Sequence, residues 1–193
     1  YTEKLLDILD RYNVKATFFV TNGKPDYQNL IAQEAQRGHT VAIHSASHDY
    51  AKIYQSVDAY FADFDEMNSI ITAQTGKAAD LVRFPGGSSN TISKKYCYGI
   101  MSQLVCAVEE RGFRYCDWNV SSGDAGGTTS TSQVVANVIE GIKSNNVSVV
   151  LQHDIKNFSV DAVEQIIQWG LSEGYTFLPM TSTTPMSHHG VNN

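Results

Sequence analysis

Thr40-Val41-Ala42-Ile43-His44-Ser45-Ala46-Ser47-His48-Asp49 is an apolar run that breaks into paired histidines. Residues 40–43 read as a buried strand, and the polar residues that follow as the loop leaving its C-terminal end. His44 and His48 are four apart, so one helical turn or a tight loop aims both imidazoles at one point. Two neutral ring nitrogens placed that way share a divalent metal, usually zinc, with a carboxylate as third ligand and an open position for water. With 6 His in 193 residues, such a pair also arises by chance in roughly one chain in five or six. Its surroundings decide what it means.

Outward from this stretch the same grammar repeats. A helix over 27–37 precedes it, and Gly38 supplies a left-handed stop. Before that come a helix over 3–12, with Leu5, Ile8, Leu9 and Tyr12 on one stripe, and a strand over 15–20. Downstream, helices at 56–74, 91–111, 131–143 and 159–173 alternate with strands at 81–84, 113–120, 147–152 and 175–178. Three joints, Arg37-Gly38-His39, Arg111-Gly112-Phe113 and Glu173-Gly174-Tyr175, run from a charged residue through glycine into a strand. Short helix-glycine-strand joints imply an α/β chain of parallel strands with helices packed outside. No Pro/Ser linker divides residues 1–180, which are expected to form one domain. Residues 181–193 read as a polar tail expected to fray, with His188 and His189 exposed rather than ligating. The alternation opens on a helix, whereas a parallel α/β barrel begins with a central strand, so a strand upstream of Tyr1 is expected.

The hydrophobic share of 42% and charged share of 18% are those of a soluble globular chain. No apolar run approaches the length needed to cross a bilayer, and none reads as a signal peptide. The net charge of -6 argues against nucleic acid as a partner, since phosphates want a basic face. It also lends no attraction to anionic wall polymers. Cys97, Cys106 and Cys116 are an odd set without a Cys-x-x-Cys motif. Cys97 and Cys106, nine apart on the helix over 91–111, point to opposite faces, so packing is the role expected of the thiols.

In a parallel α/β domain the loops after the strand C-termini converge on the functional site. Here those loops carry His44 and His48, then Arg83-Phe84-Pro85-Gly86-Gly87-Ser88, then Asp117-Trp118-Asn119 with Ser122-Gly123-Asp124, then Leu151-Gln152-His153-Asp154. Strand bodies that are apolar, ending four times in titratable or glycine-rich groups, point to an enzyme.

His44-Ser-Ala-Ser-His48, the Arg-Phe-Pro-Gly-Gly run, the Trp118 to Asp124 segment and Leu151-Gln-His153-Asp154 resemble motifs two to five of the polysaccharide deacetylase family, the NodB homology domain of carbohydrate esterase family 4. The resemblance covers nearly the whole chain. It implies a deformed (β/α) barrel of about seven parallel strands, the first lying upstream of the given residues. It also implies that the family's first motif, a strand ending in Thr-Phe-Asp-Asp that supplies the general base and the third metal ligand, lies on that missing strand.

By resemblance, His44 and His48 hold a divalent metal, zinc first, with cobalt, manganese or nickel as alternatives. Arg83 orients the base, His153 protonates the leaving amine, and Asp124 holds His153 charged and oriented. Many family members carry an aspartate where Ser121 stands, and Asp154 either shares the relay or caps the next turn. Pro85-Gly86-Gly87 forms a rigid then permissive turn that lets a backbone N–H approach an oxyanion. Many members have an aromatic in place of Gly86. Trp118 and Leu151 either wall a pocket for the acetyl methyl or belong to the core.

The implied activity is metal-dependent removal of N-acetyl groups from a polysaccharide, with peptidoglycan N-acetylglucosamine first. Chitooligosaccharide or acetylated xylan comes next. A bacterial extracellular or cell-surface location and a monomer are the expected setting. Two other readings stand beside this one: an inactive carbohydrate-binding homologue, and an unrelated zinc hydrolase in which Asp49 or Asp124 supplies the carboxylate.

Overall fold

Gly38, Gly112 and Gly174, the three glycines expected to stop helices, take φ of 84°, 82° and 83°, conformations that cost an L side chain dearly and glycine little. The computed structural model describes residues 1–193. In chain order the elements are α1 (Thr2–Arg11), β1 (Thr17–Thr21), α2 (Asn29–Gln36), β2 (Thr40–Ser45), α3 (Tyr50–Ile53), α4 (Val57–Thr75), β3 (Leu81–Val82), α5 (Ile100–Glu110), β4 (Arg114–Tyr115), β5 (Val120–Ser121), α6 (Thr131–Lys143), β6 (Val150–Leu151) and α7 (Asn157–Ser172). They fall into two compact units, Thr17–Asp117 with Met180–Asn193, and Tyr1–Ala16 with Trp118–Pro179.

The first of these units holds a four-stranded sheet in the order β1-β2-β3-β4, every pairing parallel. β1 and β2 run in register from Thr17 opposite Thr40 to Val20 opposite Ile43, and the register then shifts before Ser45. Ala42 and Ile43 are fully buried. α4 packs on β2 through a stripe of Tyr60, Phe64, Met67 and Ile71, all buried. Ser56 caps its start by accepting from Ala59 N, satisfying one of the N–H groups a helix start leaves open. Phe113 meets Phe64 edge-on at 4.7 Å.

The second unit pairs β5 with β6, again in parallel. Val134, Val138 and Ile142 of α6 close with Ala162 and Ile166 of α7 into one apolar cluster. α1 leans on α7 through Arg11 and Tyr12, which both hydrogen-bond Glu164.

The α/β reading with parallel strands holds, and the structure corrects its details. Residues 113–120 are two strands, because Asp117 turns fully inward and interrupts the pairing; β4 belongs to one sheet and β5 to the other. Residues 175–178 form no strand. Tyr175 N–H donates back to Gly170, and Tyr175, Thr176 and Leu178 stay exposed.

The helix expected over 27–37 begins at Asn29, after a 3-10 turn opened by Pro25. The one expected over 91–111 breaks at Gly99 (φ 76°). Cys97 therefore lies ahead of α5 rather than on it, and of the three free thiols only Cys116 is buried. The expected fraying of 181–193 is overturned too. His188 stacks on Tyr115 with ring centres 3.9 Å apart, the His189 N–H donates to Asp117, and the Asn193 side chain accepts from Gly99 N and donates to Ser93 Oγ.

Candidate active site

His44 is the penultimate residue of β2, not the first of the loop. β3 continues its pairing one residue past Val82, with Arg83 N–H donating to Ile43 O at 2.9 Å, and this brings the Arg83 carbonyl to His44 Nδ1 at 2.6 Å. A carbonyl only accepts, so Nδ1 carries the proton and the lone pair of neutral His44 sits on Nε2. The His48 ring lies 5.1 Å from the His44 ring, centre to centre, tilted by 49°. His48 reaches that position with φ of 52°, a left-handed backbone rare outside glycine.

Sequence reasoning missed the residue that organises this loop. Asp63 of α4, 2% exposed, accepts from Ser45 Oγ (2.6 Å), Ala46 N (2.8 Å) and Ser47 N (2.8 Å). Burial pushes its carboxyl up, but the hydrogen bonds from Ser45, Ser47 and Ala46 outweigh it and hold the group below its ordinary range. The available signal was an acid at 63 on the same face as Tyr60, Phe64 and Met67. Tyr50, also missed, packs edge-on against His48 at 5.7 Å. Its hydroxyl fills the space where a side chain at Gly86 would begin, 2.6 Å from that Cβ position.

Arg83 is 7% exposed. Its Nε donates to the Cys116 carbonyl and Nη2 to the Asp117 carbonyl, each at 2.9 Å, and the guanidinium lies 4.1 Å from the centre of the Phe19 ring. Gly87 N–H donates to Phe84 O at 2.8 Å, closing a turn with Pro85 second and Gly86 third at φ 78°, the signature of type II. Gly87 N–H is thus engaged inside the turn and proline has none, so Gly86 carries the donor this turn leaves open. Ser88 anchors the turn, its N–H and Oγ donating to the two oxygens of Asp117.

In the other unit, His153 and Asp124 are joined. His153 Nδ1 lies 2.7 Å from Asp124 Oδ1, and the His153 backbone N–H and Ser159 Oγ each donate to Oδ2 at 2.7 Å. Lys156 donates to the Asp124 backbone carbonyl. Burial acts to raise the Asp124 carboxyl, yet the bonds from His153 and Ser159 bring it down to about 2. An ionised carboxylate only accepts, so Nδ1–H donates and His153 Nε2, on a ring 35% exposed, faces outward from the pair. Ser121 is exposed and turned to Gly123 N, while Asp154 accepts from Thr2. Asp124 is therefore the carboxylate on His153. Trp118 and Leu151 are both half-buried, and Leu151 stands opposite Ser121 in the β5–β6 pair.

The structure gathers His44, His48, Arg83 and the Pro85–Gly87 turn in one unit, and His153 with Asp124 in the other. No cluster of three or more His, Cys, Asp or Glu suited to a metal forms. Asp49 caps α3 by accepting from Ala51 N, and Asp124 is engaged by His153.

A family model described as polysaccharide deacetylase matches residues 1–98. A peptidoglycan-N-acetylglucosamine deacetylase of Bacillus cereus is 31% identical over 92% of this chain, which spans 63% of that relative's length. Among solved structures, the catalytic domain of a peptidoglycan N-acetylglucosamine deacetylase from Eubacterium rectale superposes on the whole chain with a TM-score of 0.99 at 71% identity, over 88% of its own length. The polysaccharide deacetylase Bc1974 from Bacillus cereus does so with 0.82 at 31%, over 90% of its own length. Deacetylases of this kind have a deformed barrel fold. With the His-x-x-x-His strand end, the Arg-Phe-Pro-Gly-Gly turn and a family model that spans both, the chain belongs to the polysaccharide deacetylase family.

Proposed function

We propose that this protein is a metal-dependent hydrolase that removes the acetyl group from N-acetylglucosamine residues of peptidoglycan. The observation that carries the reading is the hydrogen bond from His44 Nδ1 to the Arg83 carbonyl. It fixes the tautomer in which Nε2 carries the lone pair that a metal ligand needs, the arrangement that orients imidazoles at metal sites. His44 and His48 fit as two ligands of a divalent ion, zinc first, with cobalt, manganese or nickel as alternatives. Such an ion would act there as a Lewis acid toward the acetamide carbonyl and lower the pKa of a bound water.

The chain's own residues supply the rest. The Gly86 N–H donates to the oxygen on which negative charge develops. His153 Nε2 protonates the amine nitrogen as the C–N bond breaks, and acetate and a free amine leave. Asp124 fixes the His153 tautomer and stabilises the imidazolium. Arg83, immobilised by two carbonyls, would orient the general base that the family's first motif supplies. Trp118 and Leu151 bound the acetyl methyl. The relatives named for peptidoglycan support that polymer as substrate, and a wall polymer implies an extracellular or cell-surface location. No helix is long and apolar enough to cross a membrane.

The test is acetate release by the full-length protein, stripped and reloaded with zinc, from peptidoglycan, chitooligosaccharide and acetylxylan. Zinc-dependent release from peptidoglycan is expected, and His153→Ala should keep its metal while turning over about 100-fold more slowly. Release only from one of the other polymers would move the substrate. Zinc-loaded protein that binds sugar but releases nothing would establish the inactive binding homologue instead.

A further inference from the structure

We infer that Asp63 is a positioning residue for the histidine pair: its carboxylate sets the 45–48 loop and thereby holds the His48 imidazole beside that of His44. The inference rests on the metal-dependent reading above. Every group that faces Asp63 is a donor: Ser45 O–H on Oδ2, Ala46 N–H on Oδ2 and Ser47 N–H on Oδ1. An ionised carboxylate is the side chain that offers only acceptors. Ser45 has one hydroxyl proton. Giving it to Asp63 leaves the Ser45 lone pairs to accept the His48 N–H, at 2.8 Å.

A continuous link therefore runs from α4 through Asp63 and Ser45 to the His48 backbone. Its far end is anchored, since the neighbours of Asp63 on α4, Tyr60, Phe64 and Met67, are buried. Its near end is a non-glycine residue at φ 52°, a conformation that persists only where the surroundings determine it. His44 needs no such help, because it lies within β2 and is tied to the Arg83 carbonyl. The second histidine is the one that depends on a device, and Asp63 is that device.

The deciding experiment titrates zinc into the full-length protein by calorimetry, comparing wild type, Asp63→Asn and Ser45→Ala, with thermal unfolding measured on each. Asparagine keeps the shape of Asp63, but its NH2 faces a backbone N–H whichever way it turns, Ala46 on one side or Ser47 on the other. Zinc binding should weaken about 10- to 100-fold in Asp63→Asn, the range for partners that orient metal ligands. Ser45→Ala should weaken it in the same direction. The double variant should fall short of the product of the two effects, because both act through one link. A folded Asp63→Asn that binds zinc as wild type does overturns the positioning role. If that variant does not fold, unchanged affinity in Ser45→Ala overturns it. A wild type that binds no zinc overturns the metal reading and this inference with it.

Discussion

Each of the two units holds a carboxylate low through hydrogen bonds, Asp63 in one and Asp124 in the other. Asp124 stands at about 2 against an ordinary 3.8, so the folded state binds its proton less readily than the unfolded chain does. Its contribution to stability is present above pH 3.8 and is lost as the pH falls toward about 2. Urea midpoints measured across that window should fall less steeply for Asp124→Asn than for wild type, while the wild type is the more stable of the two at neutral pH. Equal slopes would mean that the His153 and Ser159 bonds do not set the carboxyl's affinity for protons. Asp63, also held low, titrates in the same sense and is present in both proteins, so the comparison isolates Asp124.

At the scale of elements, helix-to-strand distance is governed by missing side chains. Gly141 lies within α6, and a Cβ there would meet Val120 Cγ1 at 2.5 Å and Cγ2 at 3.2 Å. Alanine is the better helix former by about 1 kcal/mol, yet a valine in a strand has little freedom to yield. Gly141→Ala should therefore lower the unfolding free energy by about 1–2 kcal/mol, read as a lower urea midpoint at unchanged slope. A gain in stability would show that β5 can move away from α6 freely.

The same elements show what pattern alone carries. α6 was legible to the residue, since its stripe of Val134, Val138 and Ile142 has a clean helical period and Ser130 caps it. Strands β3 to β6 are two residues each, shorter than the apolar runs that announced them. An apolar run reports burial, and ladder pairing ends wherever a buried polar group such as Asp117 turns the chain. The run at 175–178 failed for the converse reason: apolar character there belongs to Phe177 packing over Gly170, not to a partner strand. Asp63 went unseen because a single acid on an apolar helix face has no period of its own.

At the scale of the molecule, the ordered series of strand-end motifs was enough to reach the family and, through it, to name Asp124 as the partner of His153, while only the fold shows Asp154 engaged by Thr2 instead. The net charge of -6 bears on how these residues would meet the proposed polymer. A net charge of that sign repels an anionic glycan, so on the proposed reading binding would come from short-range contacts at the site. Raising ionic strength from about 20 to about 200 mM shortens the screening length severalfold. It should leave KM for a neutral chitooligosaccharide unchanged and lower KM for an anionic wall polymer. A rise in KM with salt for the anionic polymer would reveal a local basic surface that the net charge conceals.

The turn at Phe84–Gly87 has a consequence for anyone designing inhibitors against this site. A ligand that accepts from the Gly86 N–H leans on the main chain, so exchanging side chains does not remove its partner. Proline is the one replacement without that hydrogen, and its ring holds φ near -65° where the turn requires 78°. Proline at this position would break the loop that also carries the anchoring Ser88, so the donor could be removed only together with the turn that holds it.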